Sequence, residues 1–316
     1  MKFLDDKRLY SYTEHCLKFL RELRPGEAPT RTLERYHFYW GNRFSLKQAF
    51  AIKSFLATQD IEKSELWLWL DGEDGYAENK DSPLLRPLLP FIHLKRFDPE
   101  VESQDTPVER RPQLYSGLRP AARSDFFRLV VLYKYGGTYA DMDMMFLRDM
   151  SSLLGSGYFQ DEFCYQWSSH MSYGNSAVFR LRQRSDTAFA LLSRCRAGGT
   201  CHPKYAFGFA ANEDLDLLVL PCPFFDPLWP HYDRQDRYDA APFSRFGDFF
   251  RRFGWRFHRR PDIQSHKDFF PGAFAYHWHN FWDAEEHKRS YFGLFNEEFD
   301  RILRDKLGIH APGAQT

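Results

Sequence analysis

"SDFFRLVVLYKYGGTYADMDM" (residues 124–144) decides how this chain is read. Phe126, Leu129, Val130 and Tyr133 recur at helical spacing, which predicts a helix over 120–137 closed by Gly136 in a left-handed C-cap. A short strand, "TYADMDMMFL", follows, and in it Asp141 and Asp143 alternate with Met142. In an extended segment the two carboxylates share a face and Met142 turns to the other. Like charges at that distance repel unless a cation lies between them. Oxygen ligands suit Mg²⁺ or Mn²⁺, ions that keep positions open for water or for a ligand's phosphates. A lone Asp-x-Asp is also ordinary turn chemistry, so the surroundings must carry the argument.

Working outward, "RYHFYWGN" (35–42) predicts a strand ending at Gly41, and "SLKQAFAIKSFLATQ" (45–59) a helix capped by Ser45. "ELWLWLD" (65–71) and "FIHLKRFD" (91–98) predict further strands. This strand–helix–strand rhythm argues for a mostly parallel α/β sheet, which binds ligands at the carboxyl ends of its strands. Trp40 and Gly41, the polar loop 71–83 and the aspartates after Tyr139 all fall at such ends. The stretch 98–118 reads as polar and mobile. Strands are expected at 162–167, 175–181 and 215–221, a helix at 185–197 and a last helix near 284–306. Residues 6–24 read as an amphipathic helix and 24–31 as a linker. The expected organisation is therefore an N-terminal helical segment, 1–30, and one domain, 31–316.

Composition narrows the function. The 316 residues carry 43 basic and 43 acidic side chains, so the formal charge is zero. A nucleic-acid reader generally shows a basic excess, and "RRFGWRFHRR" (251–260) is the only basic run. Aromatic residues make up 18%, enough for a Phe-rich core and for ring-lined clefts that stack on flat ligands. Five scattered cysteines, none spaced Cys-x-x-Cys, argue against a zinc site or a disulfide framework and for a reduced, cytoplasmic setting. No apolar run is long enough for a signal peptide or membrane span, which leaves peripheral membrane attachment open.

Ser124, Asp125, Arg128, Tyr135, Gly136, Gly137, Tyr139, Asp141 and Asp143 together resemble the DXD-containing sugar-binding region of a glycosyltransferase family. That family includes yeast initiating mannosyltransferases, α-1,4-glycosyltransferases and glucosylating clostridial toxins. The close resemblance covers about 25 residues, with weaker similarity at "FYWGN" and "HWHNFW". It implies a GT-A fold, Rossmann-like, with a mostly parallel sheet flanked by helices and further helices at both termini. It also implies a retaining transfer of a hexose or N-acetylhexosamine from a nucleotide-diphosphate sugar, with a UDP-sugar favoured over GDP-mannose, and with Mn²⁺ or Mg²⁺.

Residue by residue, the resemblance implies that Asp141 faces the ribose and donor sugar and that Asp143 binds the cation. Asp125 and Arg128 would meet the donor's hydroxyls and phosphate, although at i, i+3 they also form an ordinary helical ion pair. Trp40 would stack on the base, Gly41 would admit the backbone close to the nucleotide, and Tyr139 and Asn175 would line the donor site. Trp282 would close over the diphosphate. Asn280, His277 and His279 stand as alternative further metal ligands. The acceptor could be a glycan, a lipid-linked sugar, a protein or, with less support, a modified nucleic-acid base. A non-catalytic nucleotide-sugar binder and a metal-dependent phosphohydrolase are the rival readings.

Overall fold

The computed structural model describes residues 1–24, 33–154, 161–166, 172–228, 242–247, 249–250, 255–256 and 259–309. From the N-terminus, β1 (Lys2–Phe3) leads to α1 (Arg8–Ser11) and α2 (Thr13–Glu22). Next come β2 (Glu34–Trp40), α3 (Leu46–Thr58), β3 (Ser64–Asp71), α4 (Gly72–Asn79), β4 (His93–Phe97) and α5 (Pro99–Glu102). α6 (Pro120–Tyr135) feeds β5 (Gly137–Ala140) and β6 (Met144–Phe146), followed by α7 (Ser151–Leu154) and β7 (Phe163–Gln166). β8 (Gly174–Leu181), α8 (Asp186–Gly198), α9 (Pro203–Ala206) and β9 (Leu218–Leu220) come after them. A pair, β10 (Phe249–Phe250) and β11 (Trp255–Arg256), precedes β12 (Ala275–His277) and α10 (Tyr291–Leu307).

Eight strands form one sheet in the order β1-β9-β7-β8-β5-β2-β3-β4. β2 pairs in parallel with β3 on one side and β5 on the other, so the chain winds outward to β4 and then reverses. The crevice above the carboxyl ends of β2 and β5 is therefore a topological switch point, the place where open α/β sheets hold ligands. The sheet is mostly parallel, as predicted, with one departure. β8 runs antiparallel to both β5 and β7, and its N-terminal end thus lies beside the carboxyl end of β5. A small second sheet pairs β6 with β12.

Burial follows the strand period. Tyr36 and Phe38 of β2 join α2, α3 and α10 in one hydrophobic core, while Tyr39 packs with α6 and α8 in the other. Both faces are covered, as a parallel sheet requires. α3 starts at Ser45 in a reciprocal capping box with Gln48. α6 opens on Pro120, where a missing N–H costs nothing, and residues 126–133 are buried around the whole helix. His37 bridges three elements: its Nε2–H donates to the Gly136 carbonyl at 2.9 Å, and its Nδ1 accepts from Trp69 Nε1 at 3.1 Å. Burial pushes its pKa down to about 3, so the ring is neutral and its tautomer is set by the two partners.

Several expectations are corrected. The loop 71–83 contains α4, whose end is tied down by Asn79 bonding to Phe44 N, Asn42 O and Gly75 O. Two glycines hid that helix, and tertiary bonds hold it. The 98–118 stretch carries α5, capped by Asp98, and buries Val108, Leu114 and Tyr115. The N-terminal helix breaks at Tyr12 and is preceded by an unforeseen edge strand pairing with β9. The last helix starts at Tyr291 rather than near 284. "TYADMDMMFL" is two strands separated by a turn, not one. Gly136 has positive φ, 65°, but its ψ of −172° is not that of a left-handed cap. Most of the linker 24–31 and of the basic run 251–260 lies outside the described residues. Among the described residues no helix is long and apolar enough to cross a membrane.

Gly137 shows why two glycines separate α6 from β5. Its φ is +98°, and an added Cβ would lie 2.4 Å from the carbonyl oxygen of Arg35. Gly137→Ala is expected to cost about 1–3 kcal/mol, read as a lower urea midpoint. Gly198→Ala, where a Cβ meets nothing within 4 Å, should leave the midpoint unchanged or raise it.

Candidate active site

A cleft of about 730 Å³ opens at the switch point. Every residue singled out from the sequence for the site lines it: Trp40 and Gly41 from β2, Asp125 and Arg128 from α6, and Tyr139 from β5. Asp141 and Asp143 follow β5, Asn175 is the second residue of β8, and His277, His279, Asn280 and Trp282 come from β12 and beyond. β8 reaches the cleft because it is antiparallel, with Asp141 N donating to Ala177 O at 2.8 Å. β12 reaches it because His277 is registered against Met144, the residue after Asp143.

Asp141 and Asp143 converge, though not for the reason of strand alternation. They flank a turn, and Met142 is packed into the core between them. Asp141, Asp143 and His277 each present a ligand atom, all within 4.8 Å of one another. The Asp143 carboxylate is clamped: its Oδ2 accepts from the backbone N–H of Asn280 at 2.7 Å and lies 3.2 Å from His277 Nε2. Burial would raise its pKa, but the His277 charge and these hydrogen bonds outweigh it and hold Asp143 at about 2. Burial dominates at Asp141, whose pKa is raised, with Arg128 opposing and Asp143 reinforcing the shift.

Arg128 is fully committed within the protein. Nε donates to Ser124 O, one terminal nitrogen to Ser176 O and Oγ, and the other to Ser124 Oγ. That last nitrogen also lies 3.0 Å from Asp141 and 3.4 Å from Asp125. The guanidinium sits over the Tyr139 ring, and the Tyr139 hydroxyl donates to Asp141. Arg128 thus fixes the Asp141 carboxylate from behind. Burial pushes Asp125 up to about 7, with Arg128 opposing the shift.

The C-terminal arm is shaped by two consecutive left-handed residues, His279 (φ 50°) and Asn280 (φ 58°). This uncommon backbone aims the Asn280 N–H at Asp143. The Asn280 side chain accepts from Trp282 Nε1, and the Trp282 ring meets Trp40 with centroids 4.7 Å apart. Asn175 uses its Oδ1 on Ala177 N, while its buried Nδ2 finds no protein acceptor. Gly41 faces Asp71, which an added Cβ would approach to 3.3 Å; Asp71 itself pairs with Arg123.

Sequence reading missed Asp226. It is wholly buried, with Oδ2 2.7 Å from His279 Nε2 and 3.8 Å from His277 Nδ1. Its one signal was an acid set in the apolar run "CPFFDP" (222–227). Ser176 and His202, which also line the cleft, carried no signal at all.

The donor set fits a hard divalent cation. It offers two carboxylates and one imidazole, and neither ring nitrogen of His277 makes a well-directed hydrogen bond within the protein. Asp143 and Asp226 outweigh burial and raise the His277 pKa to about 10. A cation would replace that proton as the positive charge between the acids.

The fold and the acid pair resemble those of glycosyltransferases. Residues 59–160 match the family described as "Glycosyltransferase sugar-binding region containing DXD motif". The match includes α6 and both aspartates; Trp40, Asn175, Asp226 and the His277 arm lie outside it. Among solved structures, the apo form of the bifunctional glycosyltransferase WbbM is similar at 12% identity and TM-score 0.50, over 86% of this chain. The alignment spans 50% of the WbbM chain and shows the GT-A fold alone. Mouse xyloside xylosyltransferase 1 aligns over 80% of this chain and 99% of its own, with 13% identity and TM-score 0.46. PaToxG glycosyltransferase aligns over 66% and 78%, with 14% identity and TM-score 0.44. No curated protein matches the chain.

Proposed function

We propose that the chain is a retaining hexosyltransferase. It would move a hexose or N-acetylhexosamine from a nucleotide-diphosphate sugar, a UDP-sugar by preference, to an acceptor hydroxyl. The observation that carries this reading is the convergence of Asp141, Asp143 and His277 in the switch-point cleft that Trp40 also lines. Asp141, Asp143 and His277 would hold Mn²⁺ or Mg²⁺, which supplies positive charge to the diphosphate leaving group.

The chain's own residues do the rest. Arg128 and Tyr139 keep Asp141 oriented, and Asn280 N–H keeps Asp143 oriented, so neither carboxylate reorganises during transfer. The free Nδ2 of Asn175 and the Asp125 carboxyl would bind hydroxyls of the donor sugar. The Trp40–Trp282 pair offers an aromatic face to the base. In this reading the acceptor attacks from the face that the diphosphate leaves. The departing phosphate then takes the acceptor's proton, and the sugar carbon passes through an oxocarbenium-like state. The acceptor would be a glycan, lipid-linked sugar or protein hydroxyl met in the cytoplasm, as in polysaccharide biosynthesis.

The test is a panel of UDP-, GDP- and dTDP-sugars with and without Mn²⁺, read by thermal shift and by release of nucleoside diphosphate. A UDP-sugar should raise the midpoint and be hydrolysed slowly, both only with Mn²⁺. No response to any donor would refute the reading.

A further inference from the structure

We infer that Asp226 is a positioning residue for the cation site: from far upstream in the chain it orients the His277 and His279 imidazoles so that His277 Nε2 faces the Asp141–Asp143 pair. This rests on the cation reading above. Asp226 is wholly buried at the end of a turn that follows β9, and its backbone is locked there. Its N–H donates to Cys222 O at 2.8 Å, and the Cys222 thiol donates back to its carbonyl. The turn is fastened to the segment entering β12 by Phe274 N donating to Phe224 O, so the carboxylate and the His277 strand move as one piece.

Neither carboxylate oxygen of Asp226 makes a well-directed hydrogen bond, and such a buried charge is costly. What lies beside it is charge-compensating: His279 Nε2 at 2.7 Å and His277 Nδ1 at 3.8 Å, with the two rings 4.0 Å apart. His277 is thereby held between two acids, Asp143 on its Nε2 side and Asp226 on its Nδ1 side. A carboxylate behind the far nitrogen is the usual means of fixing the ring and tautomer of a metal-ligating histidine. His279, at positive φ, packs against that ring and shares the same carboxylate.

Mn²⁺ alone, titrated into the full chain and followed by the EPR signal of the free ion, tests this. Asp226→Asn is isosteric and removes a buried charge, so its thermal midpoint should stay within a few degrees of the parent. Its Mn²⁺ affinity should fall about 10–100-fold. Asp226→Glu, which keeps the charge but shifts its reach, should weaken binding less and serves if the Asn variant does not fold. Parent-like Mn²⁺ affinity in a folded Asp226→Asn would overturn the inference while leaving the cation site standing. Absence of Mn²⁺ binding in the parent chain would instead remove the cation reading itself. A purely structural Asp226 would lower the midpoint and leave the affinity of the folded fraction untouched.

Discussion

Asp143→Asn is expected to lower sugar-nucleotide turnover about 10³-fold while leaving the fold in place. The carboxylate is the most constrained group in the cleft, held by Asn280 N–H and His277 Nε2 and at a pKa of about 2, so it is charged throughout the working pH range. An asparagine oxygen can still accept from Asn280, which preserves the turn. What is lost is a full negative charge facing any bound cation, and with it charge stabilisation of the leaving group. Asp141→Asn should act in the same direction, with an added disturbance of Arg128. The measurement is steady-state release of nucleoside diphosphate, with circular dichroism to confirm folding. Undiminished turnover in Asp143→Asn, or in the parent chain with excess EDTA, would refute the assignment.

Arg128→Met should cost about 3 kcal/mol of unfolding free energy, near the low end for breaking a buried ion pair. The guanidinium serves Ser124, Ser176, Asp125 and Asp141 at once, and the methionine leaves two acids without a cation. The low end applies because Asp125 and Asp141 keep side-chain exposures of 14% and 21%. Adding Asp141→Asn should recover part of the loss, because the neutral amide no longer needs the charge. A coupling of about 1–2 kcal/mol between the two sites is expected from urea unfolding of the four proteins in the cycle. Strict additivity would mean that Arg128 acts through its serine contacts rather than through Asp141.

How much of this could be read from the letters alone varies with the range of the interaction. α6, its terminal glycines and the aspartates lie within one stretch, so local spacing carried them. Ser45 as the cap of α3 was legible for the same reason. The turn between Asp141 and Asp143 was not, because Met142 looks like a strand residue until the core that receives it is known. α4 contradicts its own helix propensity and exists through Asn79. Arg128 could be read as a site residue, but its bonds to Ser176, 48 residues on, could not. Asp226 was out of reach, since nothing local relates it to His277, and only the β6–β12 pairing and the turn after β9 bring them together.

That pairing also bears on how the protein matures on the ribosome. Met144 and His277 are neighbours in space but are made far apart in time, so the small sheet closes a very long loop. Emerging chains can complete β2 through β5 well before β12 exists. The nascent glycine-to-aspartate segment therefore waits for β12, and the cleft is lined in full only once residues 277–282 have been made.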